Sequence, residues 1–225
     1  MCIRDSTNVA ALIPAYREEK FIAGVVERVK KQLDNVLVVD DGSPDGTGKM
    51  AREAGAEVVR HDRNQGKGAA IKTGLRNLTA RNFDYVLLLD GDGQHLPEEI
   101  PAFLECANAG SPGMILGNRM ADIRKMPLVR KCTNRFMSWL ISRCCGQKMP
   151  DTQCGFRMVH RELAIHLFCE SNNYDYETEM LLIAARHGAR IDSVPVSTVY
   201  GEETSKIHPV SDTIRFFKLL ARYRD

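Results

Sequence analysis

Short apolar runs alternate with stretches of helical periodicity through the first half of the chain, and this alternation constrains the fold more than any other feature. Val9–Ile13, Val36–Val39, Glu57–Arg60, Tyr85–Leu89 and Met114–Leu116 read as strands. They are short and mostly apolar on both faces, as strands buried in a parallel sheet are. Between them lie Phe21–Leu33, Gly46–Ala54, Gly68–Leu78 and Glu98–Ala107, with apolar residues spaced by three and four. That spacing predicts helices. Strand–helix–strand repeated four times predicts an α/β fold: an open, mostly parallel sheet flanked by helices on both faces, with right-handed crossovers. Ligands of such sheets gather at the carboxyl ends of the strands.

The second half is less regular. Pro127–Cys145 reads as a helix, Phe156–Val159 as a strand, Glu162–Phe168 and Glu177–His187 as helices, and Ile191–Val199 as a strand. Gly201–His208 reads as a polar loop and 210–224 as a C-terminal amphipathic helix. With no internal repeat, low-complexity tract or Pro/Gly linker, residues 7–225 are expected to form one domain. Met1–Ser6 match no targeting pattern and are expected to be disordered or extraneous to it.

The 225 residues suit one large α/β domain. A 44% hydrophobic and 27% charged composition excludes wholesale disorder. The net charge of +2 gives no case for a nucleic-acid partner. The charge is unevenly placed, however. From Arg119 to Lys148 eight basic residues face a single acid, Asp122, so a basic stripe sits on a mildly acidic body. Such a stripe suits an anionic ligand or surface, or a solvated helix face. The seven cysteines include no Cys-x-x-Cys pair, which argues against zinc and for free thiols in a reducing cytoplasm. No apolar run approaches the roughly 18 residues of a membrane span.

The polar motifs fall at strand ends. Pro14-Ala15-Tyr16-Arg17-Glu18-Glu19 follows the first strand, where a dinucleotide-binding dehydrogenase would carry Gly-x-Gly-x-x-Gly. The second strand ends in Asp40-Asp41-Gly42-Ser43. Two adjacent carboxylates repel, and local packing does not ask for them. One reading is a cap for the helix beginning near Asp45; another is a contact to a nucleobase or ribose. The fourth strand ends in Asp90-Gly91-Asp92-Gly93-Gln94-His95. Residues two apart on extended chain point the same way, so Asp90 and Asp92 are expected to share one hard cation, Mg2+ or Mn2+. Capping aspartates in a polar loop are the alternative. An EF-hand fails, because its twelfth position is Pro101.

IPAYREE, VVDDGSPDGT, NQGKGAA and DGDGQH, in this order and spacing, resemble the family 2 glycosyltransferases with the GT-A fold. GNR, DTQCGFR and SKI narrow the resemblance to the dolichyl-phosphate and polyprenyl-phosphate sugar synthases. It covers about Val9 to the C-terminus. It implies that Pro14, Tyr16 and Glu18 contact the nucleoside, and that the Val39 backbone and Asp41 contact base and ribose. It also implies that Asp90, Gly91, Asp92 and Gln94 form the metal and diphosphate site, with Asp90, Asp92 and Gln94 on the ion. Arg119 and Arg130 resemble phosphate-holding arginines. Asp151 falls on an acceptor-side aspartate proposed as base, and Lys206 on a mobile-loop lysine reaching the phosphates.

The implied activity is inverting transfer of a hexose from a nucleoside-diphosphate sugar, of GDP-mannose or UDP-glucose type, to a polyprenyl or dolichyl phosphate. A developing diphosphate charge suits a divalent ion with Arg and Lys. Two departures make the acceptor end more acidic than the family pattern: Glu202-Glu203 before Ser205-Lys206, and Glu177 where some relatives carry a basic residue. A soluble or glycan alcohol acceptor is therefore a second reading, and Asp151 would then be needed as a base. A non-catalytic sugar-nucleotide scaffold is a third, which the intact Asp90/Asp92/Gln94 set opposes. A sugar-phosphate nucleotidyltransferase would need a Gly-rich, Arg-bearing loop in place of Pro14–Glu19. Arg130–Ile141 and Val210–Arg224 each join basic and apolar residues, which fits peripheral contact with the inner face of a membrane, a membrane-anchored partner, or packing on the domain itself.

Overall fold

The computed structural model of the protein describes residues 7–121, 128–169, 171–172, 175–197, 199, 216 and 219–223, without the side chains of 121 and 128–130. Seven strands form one sheet: β1 (Val9–Ala15), β2 (Asn35–Asp40), β3 (Glu57–Arg60), β4 (Tyr85–Leu88), β5 (Met114–Asn118), β6 (Arg157–His160) and β7 (Ile191–Pro195). Their spatial order is β3-β2-β1-β4-β6-β5-β7. All neighbouring pairs run parallel except those of β6, which is antiparallel to both β4 and β5.

The helices are α1 (Ile22–Lys30), α2 (Thr47–Glu53), α3 (Lys67–Thr79), α4 (Ile100–Gly110), α5 (Leu128–Cys145), α6 (Arg161–Ala164) and α7 (Tyr176–Arg186). They cover both faces of the sheet. Along β1, Ala10 and Leu12 join a core that includes Leu75 of α3 and Met180 of α7, whereas Ala11 and Ile13 join a second core with Val26 of α1 and Phe103 of α4. Every residue of β1 is buried. Burial on both faces is why the central strands read as continuous apolar runs rather than as alternation.

The expected elements are present with shifted bounds, and two differences have physical causes. The ladder of β7 ends at Pro195, short of Val199. Beyond it the chain turns away: Ser197 donates its N–H to the Glu99 carboxylate, and Val199 donates to the Gln94 carbonyl. The expected helix Glu162–Phe168 contracts to α6, whose first turn is capped by the His160 ring accepting from the Glu162 N–H. Of the expected C-terminal helix, Phe216 and residues 219–222 are described, and they are helical. Phe216, Leu219 and Leu220 lie in the core, and the Tyr223 hydroxyl donates to Glu179 at 2.9 Å. That described part packs on the domain.

β6 positions the site. In register it pairs Arg157 with Leu88 of β4 and with Leu116 of β5. An antiparallel strand begins where its parallel neighbours end. The loop entering β6, residues 151–156, therefore lies at the carboxyl ends of β4 and β5.

Candidate active site

The first two motif loops are stitched together at the ends of β1 and β2. Pro14 lies in register beside Val39, and Ala15 beside Asp40. The Asp41 N–H donates to the Ala15 carbonyl, the Arg17 N–H to Ser43 Oγ, and the Glu18 N–H to Thr47 Oγ1. Pro14 and Val39 are buried, while Tyr16 and Glu18 are half-buried at the rim. The expected nucleoside contacts are thus neighbours in space, drawn from two loops.

Both aspartates of the second motif have packing roles that local sequence did not reveal. Asp40 is fully buried; its Oδ1 accepts from the Ser43 N–H and its Oδ2 lies 3.4 Å from Arg60 Nε. Asp41 is buried too. It accepts from the Gln65 and Gly66 N–H groups at 2.9 and 2.8 Å and meets His61 Nδ1 at 2.7 Å. It therefore anchors the loop that leads into α3. Neither caps α2, whose N-cap is Gly46; Asp45, one residue earlier, accepts from the Thr47 N–H and hydroxyl. Between these carboxylates Gly42 has φ +70°, and a Cβ there would lie 2.5 Å from the Arg63 carbonyl carbon. Only glycine fits.

Asp90 stands just past the end of β4. Its Oδ1 is 2.6 Å from Lys67 Nζ, and its Oδ2 is 3.6 Å from His95 Nε2. Burial alone would raise its pKa, but the Lys67 ammonium and His95 overrule that and hold the carboxyl well below the usual carboxylate range. Lys67 also contacts Glu177 Oε1 at 3.1 Å. Asp92 is not on extended chain as expected: Gly91–Asp92 form a turn, followed by Gly93 at φ +76°. Its Oδ1 accepts from the Gln94 N–H at 2.9 Å. Gln94 is half-buried beside it.

Arg119 follows β5 directly and makes a two-pronged pair with Asp151. Nε donates to Oδ2 at 2.7 Å and NH2 to Oδ1 at 3.0 Å, with the Arg119 backbone N–H adding a bond to Oδ2. Both residues are buried. The Gln153 N–H also reaches Asp151 Oδ1. Arg157, completely buried, clamps the intervening loop: its guanidinium donates to the carbonyls of Thr152, Cys154 and Glu177. Further along the loop, a Cβ on Gly155 would lie 2.8 Å from Asp90 Oδ2 and 3.1 Å from Glu177 Oε1. Four residues span at most about 14 Å of extended chain. The loop thus brings the end of β4, with Asp90, and the end of β5, with Arg119 and Asp151, into one site.

Arg130 lies on α5 with its side chain outside the described residues, and Lys206, Glu202 and Glu203 lie outside them altogether. Sequence reasoning assigned no role to Lys67, His61, His95 or Arg157. The one available signal was the placing of Lys67, His95 and Arg157 inside motif stretches.

The donor set is a fit for a hard divalent cation. Asp90, Asp92 and Gln94 supply side-chain oxygens, which Mg2+ and Mn2+ prefer, and a cation already rests on Asp90 in the form of the Lys67 ammonium. Among the described residues no three His, Cys, Asp or Glu side chains converge as a complete metal cage.

Residues 10–168 match the family described as Glycosyl transferase family 2. Over 215 residues the chain is 30% identical to the UDP-N-acetylglucosamine–dolichyl-phosphate N-acetylglucosaminyltransferase of Methanococcus voltae, covering 85% of each protein. Over 208 residues it is 32% identical to the undecaprenyl-phosphate mannosyltransferase of Micrococcus luteus, covering 87% of this chain and 85% of that one. Among solved structures it resembles the glucosyl-3-phosphoglycerate synthase from Mycobacterium tuberculosis in complex with Mn2+ and UDP-glucose. The TM-score there is 0.73 at 20% identity, over 96% of this chain and 79% of the other.

Proposed function

Because the chain belongs to glycosyl transferase family 2, in its polyprenyl-phosphate sugar synthase branch and with the GT-A fold, we propose that it moves a hexose from a nucleoside-diphosphate sugar to a polyprenyl or dolichyl phosphate with inversion. The donor is of GDP-mannose or UDP-glucose type. One observation carries the reading: the 151–155 loop joins an ionised Asp90 to the Arg119–Asp151 pair at the carboxyl edge of the sheet.

In this reading Pro14, Tyr16, Glu18, Val39 and Asp41 frame the nucleoside, with Asp41 acting through the loop it anchors. Asp90, Asp92 and Gln94 hold Mg2+ or Mn2+, which when bound neutralises charge on the departing diphosphate. Gly91 lets the backbone approach that diphosphate, and Arg119, Arg130 and Lys206 serve the phosphates. An acceptor phosphate oxygen attacks the anomeric carbon. The bond from that carbon to the diphosphate oxygen breaks, and the nucleoside diphosphate leaves with the electron pair. A phosphate monoester is already largely anionic at neutral pH, so it needs little proton removal. Asp151, with both oxygens engaged by Arg119, then acts by positioning that guanidinium.

The alcohol-acceptor reading rested partly on Glu177. Its carboxylate is bonded to Lys67 at 3.1 Å, which weakens that support. The acceptor's lipid nature also gives a place to the outer face of α5. Phe136 and Trp139 are 54% and 59% exposed, with Arg135 and Arg143 exposed beside them. The opposite face of the helix meets the site loop through Ser138, whose hydroxyl accepts from the Thr152 N–H. Peripheral docking of α5 on the inner membrane face would bring the acceptor to Asp151. Among the described residues no helix is long and apolar enough to cross a membrane.

The test is incubation with labelled UDP- and GDP-sugars, Mn2+ and short polyprenyl phosphates, followed by organic extraction. Label in the organic phase with inverted anomeric configuration is expected. Nucleotide release with aqueous acceptors alone would overturn the acceptor. Asp92→Ala should abolish metal-dependent donor binding, and unchanged affinity would remove the metal assignment.

A further inference from the structure

Lys67 has no part in the function proposed above, yet it sits at the centre of the site. It opens α3, and its ammonium touches two carboxylates from distant chain segments: Asp90 past β4 at 2.6 Å and Glu177 in the first turn of α7 at 3.1 Å. The two carboxylates face the same small space over Gly155. The Lys67 side chain is 20% exposed and that of Glu177 17%, so the contact is partly shielded from water. The pair of carboxylates outweighs burial and keeps the ammonium charged well above the ordinary lysine range.

A divalent ion that took Oδ1 of Asp90 would find a cation already on that oxygen. Two cations cannot share it at contact distance without strong repulsion. The ammonium must leave, and Glu177 offers it a second carboxylate already within reach. We infer that Lys67 is the resident counter-ion of the metal site: it holds Asp90 in the metal-free enzyme, a divalent cation displaces it, and Glu177 receives it. This inference rests on the metal reading of Asp90. Its consequence is that the free enzyme binds divalent ions more weakly than its carboxylates alone would, because an ammonium already offsets one of them. A donor diphosphate, attractive to the ion and to the freed ammonium alike, tips the exchange. Metal and donor then load together.

The experiment is titration of Mn2+ without nucleotide, followed by the electron paramagnetic resonance signal of free Mn2+. It compares wild type, Lys67→Met, Glu177→Gln and the double variant. A like charge at this range alters ionic equilibria by about tenfold or more. Lys67→Met should therefore tighten Mn2+ about tenfold. Glu177→Gln should weaken it, because Asp90 becomes the only partner of the ammonium. In the Lys67→Met background Glu177→Gln should no longer weaken it, a coupling that independent structural roles would not produce. Equal or weaker binding by Lys67→Met with an unchanged melting temperature overturns the proposal, as does a Glu177→Gln loss that persists without Lys67. Lys67→Gln serves if the Met variant does not fold; if neither folds, wild-type affinity in Glu177→Gln overturns it. Full Mn2+ affinity in Asp92→Asn is a different failure, that of the metal assignment itself.

Discussion

Replacing Arg119 by Met tests the pair on which the acceptor side is built. The Met side chain fills similar volume but removes the guanidinium bonds at 2.7 and 3.0 Å from the Asp151 carboxylate. Asp151 is 1% exposed, so water cannot replace them. Breaking a buried ion pair by removing one partner costs about 3–5 kcal/mol, because a charge is left without compensation. Two backbone donors, the N–H groups of residue 119 and Gln153, remain in place. The loss should therefore fall at the low end, about 3 kcal/mol. For a chain of this size that corresponds to a fall of about 6–12 °C in melting temperature. Arg119→Lys keeps the charge but loses the planar fork, so it should lie between the two. Urea titration with an unchanged slope gives the free energies. A loss below about 1 kcal/mol for Arg119→Met would place the carboxylate in contact with water and refute the buried pair. A loss of stability with full transfer activity would refute the positioning role of Asp151.

Gly42→Ala forces a left-handed residue with a Cβ into the Arg63 backbone, so it should cost about 2 kcal/mol or more, read as a melting-temperature fall of at least about 4 °C. Wild-type stability would show that the loop after β2 moves freely. The exposed pair of Arg28 and Glu98 should contribute only about 0.5 kcal/mol, measured as the stability difference between wild type and Glu98→Gln. Its bond to Arg28 holds the Glu98 carboxyl below the ordinary 4.5. A depressed folded-state value means the contribution is present above pH 4.5 and fades as pH falls below it. A difference that grows on acidification would contradict that sign.

The strands were legible because burial on both faces leaves an uninterrupted apolar signature, as in Val36–Val39. The motif loops were legible because runs of polar residues break the apolar signature at the strand ends. What could not be read is pairing across the sequence. Lys67 and Glu177 are 110 residues apart, and Arg119 and Asp151 are 32 apart. No periodicity links such partners; the placing of β6 between β4 and β5 brings Asp151 to Arg119. For the same reason the sequence left Asp41 open between a helix cap and a ligand contact, and did not show that its oxygens meet Gln65, Gly66 and His61. The extended-chain argument for Asp90 and Asp92 failed locally, because a glycine on either side of Asp92 lets the backbone turn.

The wedged position of β6 also sets an order of assembly. On the ribosome, β1 to β4 and their crossovers emerge first and can pair with partners already made. The fifth strand has no neighbour on that sheet until residues 157–160 arrive to bridge the gap. Closing that non-local seam is slow relative to local helix formation. A nascent chain therefore pairs the strands that lead to Pro14, Asp41 and Asp90 before Arg119 meets its carboxylate.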